Sequence, residues 1–196
     1  LDSSELAARF GVTVDARTIL VTFHPAAFDV RPSAELLRDL LRALDEIPDT
    51  RIIITGTNSD IGSDEIRDQL LGFVRDHPDR VDYVESFGQL GYLSTMKLAG
   101  AVVGNSSSTV LEAPLLGTPS VLVGDRQAGR PLSSSVVLAE PTQAGIAQAI
   151  ETALSPSFRS EATRGESIFG SPGFAQRAVN VLATAALPSP PRKTFV

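Results

Sequence analysis

Thr18-Ile19-Leu20-Val21-Thr22-Phe23 is a β-branched, apolar run that stops abruptly at His24-Pro25. A second such run, Arg51-Ile52-Ile53-Ile54-Thr55, follows it. Between them, from about Ser33 to Ile47, the apolar residues Leu37, Leu40, Leu41 and Leu44 recur at i, i+3, i+4 and i+7, which is one buried helix face. Both strands are continuously apolar rather than alternating, so each is covered on two faces. Strand, helix, strand with buried strands is the unit of a parallel sheet.

The same alternation continues outward. Ile66, Leu70, Phe73 and Val74 have helical spacing, up to His77-Pro78. Val81-Asp82-Tyr83-Val84 reads as a third strand, and the capping-box spacing of Ser86 to Gln89 predicts a helix through Leu98. Ala101-Val102-Val103, Pro119 to Val123 and Ser135 to Leu138 are three more strands. Helices are expected after the serine-rich segment as far as Leu115, from about Thr142 to Leu154, and from Gly173 to Ala186. The fold class is α/β, a Rossmann-like doubly wound parallel sheet. Residues 1–187 are expected to form one domain, and 188–196, with Pro188-Ser189-Pro190-Pro191, an extended tail.

Composition narrows the function classes. With 196 residues, 42% hydrophobic and 20% charged, the chain can bury a full core and is not disordered. It has no cysteine, which excludes thiolate nucleophiles and Cys-type zinc sites and agrees with a reducing, cytoplasmic location. The two histidines lack ligand spacing, so no metal and no cofactor are expected. The net charge of -6 argues against nucleic acid, and no apolar run is long enough to span a bilayer. The basic residues are almost all arginine, Lys97 and Lys193 being the exceptions. The chain begins at Leu1 and shows no signal-peptide pattern, which raises the expectation of a processed protein or an excised domain.

In doubly wound sheets, ligands lie beyond the carboxyl ends of the strands, where the strand order reverses. Every polar or glycine-rich cluster falls at such an end: His24 after the first strand, Asn58 after the second, Asn105 to Thr109 after the fourth, and Gly124 to Arg130 after the fifth. In Gly104-Asn105-Ser106-Ser107-Ser108-Thr109, four consecutive hydroxyl residues at a helix start suit a phosphate, or are ordinary caps. The loop is neither a Walker loop nor a G-x-G-x-x-G fingerprint. Glu112 could accept two hydrogen bonds from a ribose diol, or simply complement a helix dipole. Arg126 and Arg130 flank Gln127-Ala128-Gly129, as anion ligands or as solvated charge. His24 suits a phosphate contact or acid–base work. His77 reads as structural or exposed.

Taken together, Val21-Thr22-Phe23-His24-Pro25, Asn105-Ser106-Ser107-Ser108 with Glu112, Gly117-Thr118-Pro119 and Gly124-Asp125-Arg126-Gln127-Ala128-Gly129-Arg130 resemble the carboxyl-terminal half of UDP-N-acetylglucosamine 2-epimerases. They are closest to the hydrolysing branch, used in sialic-acid-type sugar synthesis. The non-hydrolysing branch has an Asp-Ser-Gly-Gly loop and a Thr-Glu-Arg-Pro segment, and neither is here. Two departures stand out: Thr109 replaces a glycine, which would narrow the phosphate loop, and Ser167 to Gly173 keeps only part of an Asn-Pro-Tyr-Gly-x-Gly-Asn pattern.

The resemblance implies the second of two Rossmann-like domains facing each other across a cleft, the GT-B arrangement. It implies that Ser106 and Ser107, with Asn105, hold the diphosphate, and that Glu112 takes the ribose hydroxyls. Arg126, with Gln127 and Arg130 beside it, meets the anionic part, Asn58 and the Phe87 neighbourhood line the uridine pocket, and His24 reaches the phosphate nearest the sugar as the catalytic-side group. The family reaction eliminates UDP with loss of the C2 proton, then adds water to give N-acetylmannosamine. The carboxylates thought to move that proton belong to an amino-terminal domain outside this sequence. The implied partners are UDP, a UDP-N-acetylhexosamine, the amino-terminal domain and, at full length, a second copy of the chain. Three other readings stay open: the donor lobe of a GT-B glycosyltransferase, a non-catalytic UDP-sugar-binding module, and a phosphosugar-binding domain, which would leave His24 and Arg126 without a role.

Overall fold

Six parallel strands form a single sheet in the order β3-β2-β1-β4-β5-β6. They are β1 (Thr18–Thr22), β2 (Arg51–Thr55), β3 (Val81–Val84), β4 (Ala101–Gly104), β5 (Ser120–Val123) and β6 (Val136–Ala139). The structure, a computed structural model, describes residues 1–26, 31–164, 168–170 and 173–186. The helices are α1 (Ser3–Phe10), α2 (Ser33–Glu46), α3 (Ser63–Asp76), α4 (Gly88–Leu98), α5 (Glu112–Leu116), α6 (Gln143–Leu154), α7 (Pro156–Ala162) and α8 (Phe174–Thr184). The expected doubly wound α/β fold is the fold observed.

The continuous apolar runs divide by parity. Ile19, Val21 and Phe23 of the first run join Ile52, Ile54, Val103 and Val121 on one face, under α2, α3 and α6. Leu20, Ile53 and Val102 face the opposite layer, against Leu6 of α1 and Met96 of α4. A strand that must fill two layers has no room for polar alternation. Burying each such side chain contributes about 1.5–3 kcal/mol, which sets the register of the central strands. Strand order reverses between β1 and β4, the central pair, where Thr22 stands opposite Gly104.

Several local expectations are corrected. No capping box forms at Ser86–Gln89: α4 begins after Phe87 with no side-chain cap, and Ser86 Oγ accepts instead from the Gly88 N–H at 3.2 Å. The serine segment does not open one helix to Leu115. It makes a single 3-10 turn, Ser107–Thr109, and then the short α5. Pro114 has no N–H to continue a helix begun at the serines, and is tolerated only because α5 restarts two residues before it. Two further helices, α1 and α7, carry plain start signals in the sequence. Asp2 and Glu5 form a reciprocal capping box, and Ser155 caps a helix with proline in its first turn. His77 caps the end of α3, stacks on Phe73 at 4.4 Å and lies 3.6 Å from Asp45, which makes it structural. The proposed tail lies outside the described residues, as do Ser167, Ser171 and Pro172 of the second departure from the family pattern.

Candidate functional site

The site begins with Gly104, the last residue of β4. Its φ is +145°, and a Cβ added there would fall 2.0 Å from the Thr22 carbonyl oxygen. Only glycine lets β4 end this close to β1, and the chain leaves the sheet directly into Asn105.

Asn105 is fully buried and joins three of the four loops. Its Oδ1 accepts from the His24 N–H at 2.8 Å, while its Nδ2 donates to the His24 carbonyl at 2.7 Å. Its own carbonyl accepts from Arg126 at 3.3 Å and from Gln127 Nε2 at 3.0 Å. The side chain is thus engaged with protein backbone, so Asn105 acts as the clasp that fixes His24 and Arg126 on either side of the serine turn. Gln127 is buried, and its Oε1 has no partner. Arg126 is half-buried and Arg130 exposed at the far end of the same loop.

His24 is held at its ring as well as its backbone. Its Nδ1 accepts from the Asn58 N–H at 3.1 Å and lies 3.4 Å from Thr57 Oγ1. An accepting Nδ1 places the proton of the neutral ring on Nε2. Burial, reinforced by the Arg126 charge and opposed by Asp60, lowers the pKa of His24 to about 4. At neutral pH His24 is therefore an uncharged N–H donor. Asn58 differs from expectation: its side-chain amide turns to the Asp60 carboxylate, and only its main-chain N–H faces the site. Phe87 differs too. Its ring is buried edge-on against Phe10 at 4.8 Å, so it supports the strand ends from below rather than lining a pocket.

In the serine turn, Ser106 caps the 3-10 helix, and its Oγ accepts from both the N–H and the Oγ of Ser108, at 3.3 and 3.0 Å. Ser106 and Ser107 are half-buried. Thr109 does not narrow the turn: it is fully buried, and its hydroxyl donates back to the Ser106 carbonyl at 2.7 Å. Glu112 follows at the start of α5, with one carboxylate oxygen buried and unpartnered. A buried acceptor without a donor is uncommon and is where a ligand hydroxyl would be satisfied. Ser108 of the serine segment, Thr22 at the end of β1, and Thr55 and Tyr92, which are not among the candidate residues, form a connected row of hydroxyls beneath this turn. Threonine closing both apolar strands, at Thr22 and Thr55, was the available signal. Tyr92 had none, because it arrives from α4. Among the described residues no group of acidic or histidine side chains is gathered to hold a metal ion, and no helix is long and apolar enough to cross a membrane.

A 3-2-1-4-5-6 sheet with its polar groups gathered at the switch point is the framework of Rossmann-like ligand-binding proteins. A family model described as UDP-N-acetylglucosamine 2-epimerase matches residues 2–183, and the chain belongs to that family. It is 30% identical over 140 residues to the GDP/UDP-N,N'-diacetylbacillosamine 2-epimerase (hydrolyzing) of Campylobacter jejuni, covering 71% of this chain and 36% of that protein. It is 32% identical over 133 residues to the UDP-N-acetylglucosamine 2-epimerase of Neisseria meningitidis, covering 68% of this chain and 34% of that one. Among solved structures, the Methanocaldococcus jannaschii UDP-GlcNAc 2-epimerase in complex with UDP-GlcNAc and UDP superposes with a TM-score of 0.70 at 18% identity, over 92% of this chain and 49% of that chain. The chain thus spans about a third of these curated relatives and about half of the solved one.

Proposed function

We propose that this chain is the UDP-binding half of a hydrolysing UDP-N-acetylglucosamine 2-epimerase, acting on a UDP-linked N-acetylhexosamine. The observation that carries the reading is the Asn105 clasp, which sets a neutral His24, the Ser106–Ser107 turn and Arg126 around one point of the switch. A diphosphate there meets a cation, hydroxyl donors and an N–H donor. The unpartnered Glu112 oxygen offers the ribose an acceptor. Gln127 and Arg130 lie on the same loop as Arg126, Gln127 as a support of the clasp and Arg130 as an outer charge. The likeness to the hydrolyzing 2-epimerase of Campylobacter jejuni supports the hydrolysing branch.

In the proposed reaction UDP leaves as the C2 proton is lost, and water then adds to the sugar. This half holds the leaving group and stabilises the charge that collects on it. The proton chemistry falls to an amino-terminal domain, and the full-length enzyme works as a cytoplasmic homo-oligomer. Calorimetry with UDP and with uridine is the test. UDP binding at least tenfold tighter than uridine is expected, and equal or absent binding of both at millimolar concentration would overturn the reading.

A further inference from the structure

The hydroxyl row beneath the serine turn has a direction. Thr55 Oγ1 lies 2.9 Å from Thr22 Oγ1, and Thr22 Oγ1 lies 3.0 Å from the Tyr92 phenol oxygen. The phenol is 2.8 Å from Ser108 Oγ, which donates to Ser106 Oγ at 3.0 Å. Each hydroxyl has one proton. Ser108 gives its proton to Ser106, so it accepts from Tyr92. The Tyr92 oxygen then accepts from Thr22, and Thr22 in turn accepts from Thr55, whose single proton is shared with the Val21 carbonyl at 3.3 Å. At the end of the row, Ser106 Oγ already accepts twice, from the Oγ and the N–H of Ser108. Both lone pairs are used, and its own proton must point out of the turn.

We infer that Tyr92 is a positioning residue which, through Ser108, holds the Ser106 hydroxyl as a hydrogen-bond donor toward the diphosphate. The inference rests on the nucleotide reading above. A serine left free rotates its proton and presents lone pairs to an anion as readily as a donor. Fixing the donor direction removes that loss before the ligand arrives. The phenol keeps its proton at any physiological pH, since burial raises its pKa further above the ordinary value.

Tyr92→Phe keeps the ring and removes only the hydroxyl. It is expected to weaken UDP about 2- to 10-fold, the value of one neutral hydrogen bond, and to leave uridine unchanged. In a Ser106→Ala background the same substitution should have no further effect on UDP, a coupling that a merely structural role would not produce. Amide exchange at Ser108 should quicken in Tyr92→Phe with or without nucleotide. Ser108→Ala, which cuts the row without touching α4, should repeat the pattern and guards against a misfolded tyrosine variant. Equal weakening of UDP and uridine, an undiminished effect in the Ser106→Ala background, or unchanged exchange at Ser108 would overturn the role of Tyr92. Wild-type protein that prefers UDP no more than uridine would instead overturn the nucleotide reading, and the phosphate role with it.

Discussion

At the scale of single residues, Arg126 and Glu112 divide the proposed ligand between them. Arg126→Ala removes a charge-assisted contact worth about 1.5–3 kcal/mol, so UDP should weaken roughly 10- to 150-fold and uridine hardly at all. Glu112→Gln keeps the shape but loses the charged acceptor, so UDP and uridine should weaken by similar factors, and a deoxyribose analogue by less. Titrations of both variants check this. A lowered melting temperature with unchanged affinity for Glu112→Gln would leave only helix-dipole complementarity. His24 gives a third outcome, through pH. Its pKa is about 4 in the folded chain against an ordinary 6.5, so between those values the unfolded chain binds a proton that the folded one refuses. Stability must fall as pH drops through that window. His24→Gln should remove that part of the slope, a difference of about 1 kcal/mol between pH 7 and pH 5 once solvent screening is allowed for, measurable by urea unfolding at the two values. The sequence placed His24, Ser106 and Arg126 at the strand ends because each follows a legible apolar run. It left the duty of Asn105 hidden, because a side chain that hydrogen-bonds the backbone of a residue 81 positions away leaves no local pattern.

At the scale of elements, periodicity made the sheet and its long helices legible, since burial on two faces imposes continuous apolar runs and helix burial imposes a 3.6-residue stripe. The short elements were less so. The 3-10 turn and α5 are set by Pro114 and by packing under β4 and β5, as where Ser120 Oγ donates to the Thr109 carbonyl at 2.7 Å. The close approach of β1 and β4 gives a sharper test. Gly104→Ala meets a carbonyl at 2.0 Å in a backbone conformation alanine avoids, and backbone rather than a flexible tip stands in the way. Strain and overpacking together should cost about 3 kcal/mol, seen as a lowered urea midpoint with an unchanged m-value. Because Asn105 comes next, the same variant should loosen the hold on His24 and weaken UDP as well. Loss of stability with full affinity would mean that the clasp tolerates movement of β4.

At the scale of the whole molecule, the two ends of the chain contribute differently. The Asp2 capping box and Leu6 tie α1 into the second core layer, whereas α8 has no buried side chain, with Phe174 and Leu182 each 75% exposed. Leu182→Ser should therefore change stability by less than about 0.5 kcal/mol, where Leu40→Ala, under the sheet, should cost about 2–5 kcal/mol. The activity expected of this half follows from what its site contains. His24 titrates at about 4, too weak a base at neutral pH to take a carbon-bound proton efficiently, and Glu112 is placed by the reading at the ribose rather than at C2 of the sugar. In the proposed complex Arg126 and the serines meet the leaving group, which would stabilise its charge but move no proton. In the proposed reading the ligand would sit at the carboxyl-terminal edge of the sheet, where contact with water would weaken each of these electrostatic contacts. Incubation with UDP-N-acetylglucosamine should thus give binding without UDP release above the uncatalysed background. Turnover at roughly 1–1000 per second, the usual range for enzymes, would require a base within this half, and would transfer the proton chemistry from the proposed amino-terminal domain to the Asn105-centred site itself.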